Sequence, residues 1–154
     1  MAGDKKKLNI YLDNCCYNRP YDDQEQLRIE LETKAKLFIQ DLIVQDKVDL
    51  TVSSISVVEN DKNPFEDRKE FIADFYKNAK KRGITSETVK KDALLLKDKG
   101  LKLFDALHLA FAIAEGCDYF LTTDDKLLKF QDNRIAIVNP IEFLIVWERH
   151  GNDE

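Results

Sequence analysis

The sequence predicts a single three-layer α/β domain, a parallel central sheet with helices on both faces. Short β-leaning runs alternate with amphipathic segments from end to end. The stretch LFDALHLAFAIAEG (103–116) is apolar on nearly every side, which marks a helix buried beneath another layer. No repeat, low-complexity tract or Pro/Gly/Ser linker divides the 154 residues, a length that suits one domain with a sizeable core. Alternating strands and helices favour a parallel sheet, because each crossover helix must cover a sheet face.

The elements follow in order. LNIYL (8–12) reads as the first strand. Residues 26–45 place Leu27, Leu31, Ala35, Phe38, Ile39, Leu42 and Ile43 at helical spacing, with Asp22 and Asp23 available as caps. VDLTVSS (48–54) alternates apolar and polar residues, and Ser53 or Ser54 can cap the short helix ISVVEN, which Asn63-Pro64 ends. Residues 65–79 carry Phe71, Ile72 and Phe75 on one face, and Phe65, Phe71 and Phe75 read as core. Ser86 and Glu87 open a helix that runs toward Gly100. After the buried helix come a strand CDYFLTT (117–123), a short helix DDKLLKF, a strand RIAIVN (134–139) and a final helix from Pro140 through Trp147. One domain spans 1–154, and residues 1–7 and 149–154 are expected to be flexible termini.

Composition narrows the class. With 44% hydrophobic and 34% charged residues the chain reads as an ordinary globular protein. No apolar run approaches the roughly 20 residues that span a bilayer, and the basic start MAGDKKK has no secretory apolar stretch behind it. Three cysteines, two of them adjacent, make no disulfide framework, so a cytoplasmic, reducing location is expected. The net charge is −5, yet residues 77–102 hold nine Lys or Arg against three acids, a local +6 that leaves −11 elsewhere. That asymmetry suits either a basic surface beside an acidic site or a well-solvated helix pair.

In parallel sheets, ligands bind beyond the carboxyl ends of the strands. Asp13 directly follows the first strand, and Asp124 follows the strand DYFLTT. Glu59 lies on the helix after the second strand, and Asp105 opens the buried helix as the sole acid from Leu101 to Phe111. Each also admits a structural role: Asp105 as a helix N-terminal acid, Asp124 as a cap, Glu59 as a surface residue. Those roles do not account for convergence at one edge. Two carboxylates about 4 Å apart repel by roughly 4 kcal/mol at an effective dielectric of 20. A hard divalent cation relieves that repulsion, and all-oxygen ligation suits Mg²⁺ or Mn²⁺. Such a site points to phosphate or phosphodiester chemistry.

At these residues the sequence resembles the PIN domain family, metal-dependent ribonucleases that include the VapC toxins of toxin–antitoxin pairs. The resemblance runs from LNIYLDN to IEFLIVW. The family's first acid matches Asp13 in YLDN, its helical Glu matches Glu59 in SSISVVEN, its third matches Asp105 in FDALHLA, and its last matches Asp124 in LTTDD. Glu66, Asp67 and Glu70 stand near Glu59 as alternatives. The resemblance implies that Asp13, Asp105 and Asp124 bind one or two Mg²⁺ or Mn²⁺ ions, that Glu59 assists, and that RNA phosphodiester bonds are hydrolysed. It further implies that Thr122 orients Asp124, with Lys80, Lys81, Arg82, Lys90 and Lys91 as weaker candidates to guide the RNA backbone. An antitoxin partner and a homodimer are family expectations. The chain departs from the family's usual D-T-N or D-T-S opening: Asn14 replaces the Thr, and Cys15 stands where a small polar residue helps to hold the site.

Other chemistries fit less well. Adjacent Cys15 and Cys16 point apart in most backbone conformations and lack a C-x-x-C partner, which disfavours zinc. His108 lies within the buried helix and reads as a core residue more readily than as a ligand. A phospho-acceptor domain, receiver-like or phosphatase-like, also wants a strand-end Asp with Mg²⁺, but Cys15 occupies the position of the phosphatase's second Asp. A catalytically silent binding module of the same fold is the third reading.

Overall fold

The computed structural model describes residues 6–152. The five strands are β1 (Asn9–Leu12), β2 (Asp49–Ser53), β3 (Lys81–Gly83), β4 (Tyr119–Leu121) and β5 (Ala136–Val138). They form one wholly parallel sheet in the order β3-β2-β1-β4-β5. The N-terminal strand is therefore central, with Ile10 paired to Leu50 on one side and Leu12 to Leu121 on the other. Eight helices pack around the sheet: α1 (Asn14–Asn18), α2 (Leu27–Val44), α3 (Ser54–Asp61), α4 (Glu66–Phe75), α5 (Glu87–Asp98), α6 (Leu103–Ala114), α7 (Asp125–Lys129) and α8 (Pro140–Asn152).

Strand alternation builds the two cores. Ile10 and Leu12 point to one face, where they pack with Leu50, Ile39, Leu42, Phe75 and Phe143. Tyr11 points to the other face and packs with Phe120, Leu96, Leu109 and Phe111. Helices α1, α2, α4 and α8 thus cover one side, and α5 and α6 the other, as a three-layer domain requires. Among the described residues no helix is long and apolar enough to cross a membrane.

Several local features depart from the sequence reading. Residues 14–18 form a helix where only a strand end was expected, with Asp13 as its N-cap. The basic segment Lys81–Gly83 adds an edge strand that hydrophobicity does not announce. Gly83 belongs there because a Cβ would stand 2.9 Å from Phe111 Cδ1. Ser53 caps α3 in a reciprocal arrangement with Ser56, as its position suggested. Helix α2 starts on Gln26 with no side-chain cap, since Asp22 pairs with Arg19 and Asp23 accepts from the Glu25 N–H. Phe65 and Phe71 are exposed, and only Phe75 of that set is core. Residues 149–152 continue α8, whereas 1–5 and 153–154 of the expected flexible termini lie outside the described residues.

Helix α2 is also rotated from its expected face. Leu27, Leu31 and Phe38 are exposed, while Glu32 and Lys36 are buried. The Lys36 ammonium donates to Gln40 Oε1 at 2.7 Å and lies 5.9 and 5.8 Å from the Tyr17 and Phe75 ring centroids. Burial lowers its pKa to about 8, with the nearby Cys16 thiol opposing the shift. The unfolded chain therefore binds more protons than the folded one between pH 8 and the ordinary lysine value. Stability should rise with pH across that window, by about 3 kcal/mol when complete. We predict that Lys36→Met raises stability at pH 7 by a similar amount and removes that rise, as read by urea unfolding from pH 7 to 10. Parallel pH profiles for wild type and variant would contradict the buried-charge assignment.

Candidate metal centre at the strand ends

The carboxyl edge of the sheet carries a cavity of 390 Å³ lined by Asp13, Glu59, Asp105 and Asp124, together with Asn14, Cys15 and Asp22 among others. Each acid arrives by its own route. Asp13 follows β1 and caps α1; Glu59 lies in the last turn of α3; Asp105 lies in the first turn of α6; Asp124 follows β4 and caps α7. Asp124 thus does both jobs, accepting from the Lys126 and Leu127 N–H groups at 2.8 and 3.3 Å while lining the cavity. The alternatives Glu66, Asp67 and Glu70 stay on α4, outside this lining.

Asp13 is the deepest of the four, at 5% exposure. Its backbone N–H donates to Leu121 O at 2.9 Å, continuing the β1–β4 pairing one step past the strand. Its Oδ1 accepts from the Asn14 N–H at 2.8 Å, and its Oδ2 accepts from the Thr122 hydroxyl at 2.9 Å. Thr122 also accepts from the Asp124 N–H at 3.1 Å, so one hydroxyl ties the first acid to the turn that carries the last. The Asn14 side-chain oxygen accepts from Asn18 Nδ2 at 3.3 Å, and its backbone N–H is what serves Asp13. Burial raises the Asp13 pKa, as does negative charge on Cys15. Cys15 lies 3.4 Å from both Asp13 Oδ2 and Thr122 Oγ1 and accepts from the Thr123 N–H at 3.3 Å. Hydrogen bonds from Cys16, Thr122 and Thr123 lower the Cys15 pKa to about 6. A carboxylate and a thiolate in such contact disfavour each other's ionisation. Cys16 is buried in the core, with its thiol also donating to Leu121 O. Asp105 is also raised, by burial and then by the charge of Asp124.

The crowding has the character of a cation site, and the donors are hard oxygens suited to Mg²⁺ or Mn²⁺. One further residue reaches it. His108 Nε2 contacts Glu59 Oε1, and ligand atoms of Asp13, Glu59 and His108 lie within 4.8 Å of one another. Behind it, Tyr11 Oη lies 2.5 Å from His108 Nδ1, 2.7 Å from Ser53 Oγ and 3.0 Å from Ser56 Oγ. Burial raises the Tyr11 pKa, so its hydroxyl stays protonated while it links His108 Nδ1 to the two serines. His108 is buried, as the sequence suggested, and it also supports the acid cluster. The signal for it was its spacing, three residues after Asp105 on one helix.

The PIN domain family model matches residues 11–133, from inside β1 to just past α7. The chain belongs to the PIN domain family. Among solved structures, the fold is similar to one described as VapBC2 from Rickettsia felis bound to a DNA fragment from their promoter. The TM-score is 0.57 at 17% identity, over 86% of this chain and 98% of that one. No curated protein matches the sequence.

In this PIN domain all four predicted acids and Asn14 line one cavity, and Thr122 bonds Asp13. Among the described residues, the group of three ligand atoms within 4.8 Å of one another is Asp13, Glu59 and His108, without Asp105 or Asp124. The predicted basic stretch lies elsewhere. Lys80 Nζ pairs with Asp46 at 3.1 Å, and Lys81 Nζ donates to Glu115 O at 2.9 Å; both partners precede strands, at the amino end of the sheet. Arg82 donates to Tyr76 O, Lys90 pairs with Glu87, and Lys91 borders a groove between α5 and α6. None of the five lines the acid cavity.

A second network steadies the Asp124 turn. Glu32, with no exposed surface, accepts from Arg19 Nε at 2.9 Å, Arg28 Nε at 3.0 Å and Asn139 Nδ2 at 2.5 Å. Arg28 then reaches across to Thr123 O at 2.8 Å and grips Asp125 through two bonds. Glu32→Ala would leave two guanidinium groups without their shared acceptor. We predict a loss of about 3–5 kcal/mol in chemical denaturation, as for other buried pairs stripped of one partner. A loss under about 1 kcal/mol would show that Glu32 holds nothing in place.

Proposed function

We propose that this PIN domain is a Mg²⁺- or Mn²⁺-dependent endoribonuclease that hydrolyses RNA phosphodiester bonds and acts as the toxin of a toxin–antitoxin pair. One observation carries the reading: acids from four separate strand and helix ends line a single cavity, with the innermost of them buried and raised in pKa. Asp13, Asp105 and Asp124 are the residues to hold the cation, with Glu59 completing the set. When bound, the cation offsets the carboxylate repulsion and supplies a Lewis acid for a phosphoryl oxygen.

The remaining work belongs to the chain itself. Thr122 and the Asn14 N–H hold the Asp13 carboxyl by its two oxygens. Arg28 fixes the Thr123–Asp125 turn and so the position of Asp124. His108, held by Tyr11, orients Glu59 through one of its oxygens. Such supporting contacts commonly govern metal affinity by 10–100-fold. The family assignment removes the ground for the receiver-like and phosphatase-like readings, which rested on the same acids in another fold. An antitoxin and a second copy of the chain belong to the proposal as partners. Exposed Leu27, Leu31 and Phe38 on α2, and Leu94 and Leu95 on α5, supply apolar surface for them. A cytoplasmic location accords with the reading.

The test is cleavage of a labelled RNA by wild type with Mn²⁺ or Mg²⁺, beside Asp13→Asn and Asp105→Asn proteins shown to be folded by circular dichroism. We predict at least a hundredfold loss of cleavage in each variant. Millimolar Mn²⁺ should raise the melting temperature of wild type, by the equivalent of about 2.7 kcal/mol at a hundred times its dissociation constant, and should move neither variant as far. Undiminished cleavage by folded Asp105→Asn would sink that residue's assignment. Absence of cleavage by wild type, with the melting response intact, would leave a silent metal-binding module. Labelling of Asp13 by acetyl phosphate would restore the phospho-acceptor reading.

A further inference from the structure

The acid cavity opens into a second cavity, also of 390 Å³, and the two share Asn14, Asn18, Asp22 and Glu59. Its far wall is the corner between α3 and α4, with Lys62, Phe65 and Arg68. The chemistry changes abruptly across this boundary, from carboxylates to cations backed by rings. The Arg68 guanidinium carbon lies 3.8 Å from the Phe65 ring centroid and 4.7 Å from that of Tyr21, so both rings hold it. The Lys62 ammonium lies 4.6 Å from the ring centroid of Phe104, the neighbour of Asp105. Phe65 is 52% exposed and Tyr21 36%.

Two features separate this corner from ordinary charged surface. First, among the described residues neither Lys62 nor Arg68 is in an ion pair with a carboxylate, although acids line the adjoining cavity. A ring face holds a cation through its quadrupole and leaves the N–H groups free, whereas a carboxylate would occupy them. Second, the corner is braced. Asn63 Oδ1 accepts from the Phe65 N–H at 3.1 Å, Asn63 Nδ2 donates to Asn18 Oδ1 at 3.2 Å, and Asn60 Nδ2 donates to Lys69 O at 2.9 Å. The α3–α4 corner is therefore held in place by the chain's own hydrogen bonds.

We propose that this groove is a nucleotide subsite: it receives one unpaired nucleotide of an RNA strand, next to the phosphate held at the acids. The base stacks on the Phe65–Arg68–Tyr21 group, and its phosphate meets Lys62 and Arg68. Aromatic and guanidinium faces accept any base, so the subsite selects strandedness rather than sequence. A duplex cannot supply it, because its bases are stacked on one another and paired. This inference rests on the ribonuclease reading and adds to it where the strand lies.

The test uses full-length Asp105→Asn protein, which keeps the RNA whole, and a fluorescein-labelled decaribonucleotide read by anisotropy with Mn²⁺ present. The single strand should bind at least tenfold more tightly than the same strand in duplex. Phe65→Leu and Arg68→Gln should each weaken single-strand binding about tenfold, and Phe65→Trp should retain it, which separates stacking from mere apolar bulk. In the otherwise wild-type enzyme, Phe65→Leu should raise KM with little change in kcat, and the Mn²⁺ melting shift should persist. Equal binding by Phe65→Leu and its parent, in a protein whose wild type cleaves RNA, overturns the subsite and leaves the ribonuclease reading standing. Equal affinity for strand and duplex overturns it too. If wild type neither binds nor cleaves RNA, the ribonuclease reading itself falls.

Discussion

The Asp13 carboxyl is the constraint around which this molecule is arranged. It sits at the end of the central strand, almost wholly removed from water, where an isolated charge is costly. Three donors meet it within three residues of a strand end: the Asn14 N–H, the Thr122 hydroxyl and the Cys15 thiol. One of these, the Thr122 hydroxyl, exists only because β4 lies beside β1 and delivers it to the same edge. The sheet order and the chemistry of the site are thus one fact seen at two scales. Cys15, odd in the family's opening motif, still fills a polar role, since its sulfur bridges Asp13, Thr122 and the Thr123 N–H.

A similar logic runs through the rest of the interior. Helix α2 turns Glu32 inward and leaves Leu27 and Leu31 outside, which hydrophobic spacing alone would reverse. Glu32 is tolerated because Arg19, Arg28 and Asn139 satisfy it, and Arg28 extends the bond chain to the Asp124 turn. On the opposite face, Tyr11 reaches through the apolar layer to Ser53, Ser56 and His108, and so to Glu59. Asp13, Glu59 and the Asp124 turn are therefore each held by a support made from a different pair of elements. Rigid support of this kind lets like charges stay close without the site collapsing or splaying.

How much of this was legible depends on whether a signal is local. The parallel α/β class, the buried helix around Asp105 and the strand-end positions of Asp13 and Asp124 follow from periodicity and order along the chain, and the structure places them so. The Ser53 cap is a local signal and was equally readable. Strand β3 was not, because three residues reading Lys-Arg-Gly carry no apolar pattern and are defined by their neighbour β2. The facing of α2 was hidden for the same reason: the partners of Glu32 lie as far away as residue 139. The basic run near residue 80 illustrates the opposite error, since clustering in sequence did not become clustering at the site. The cations that border the acids, Lys62 and Arg68, are six residues apart and separated by a turn.

The placement of β1 in the middle of the sheet also sets an order on assembly. Its two neighbours are supplied about 40 and 110 residues later, so the strand that carries Asp13 waits for most of the chain before it is paired on both sides. Long-range pairing of this kind is slow relative to helix formation. No amino-terminal fragment that stops short of residue 124 contains the full set of acids. During synthesis, then, the acid cavity stays incomplete until β4 and the turn that carries Asp124 have been made.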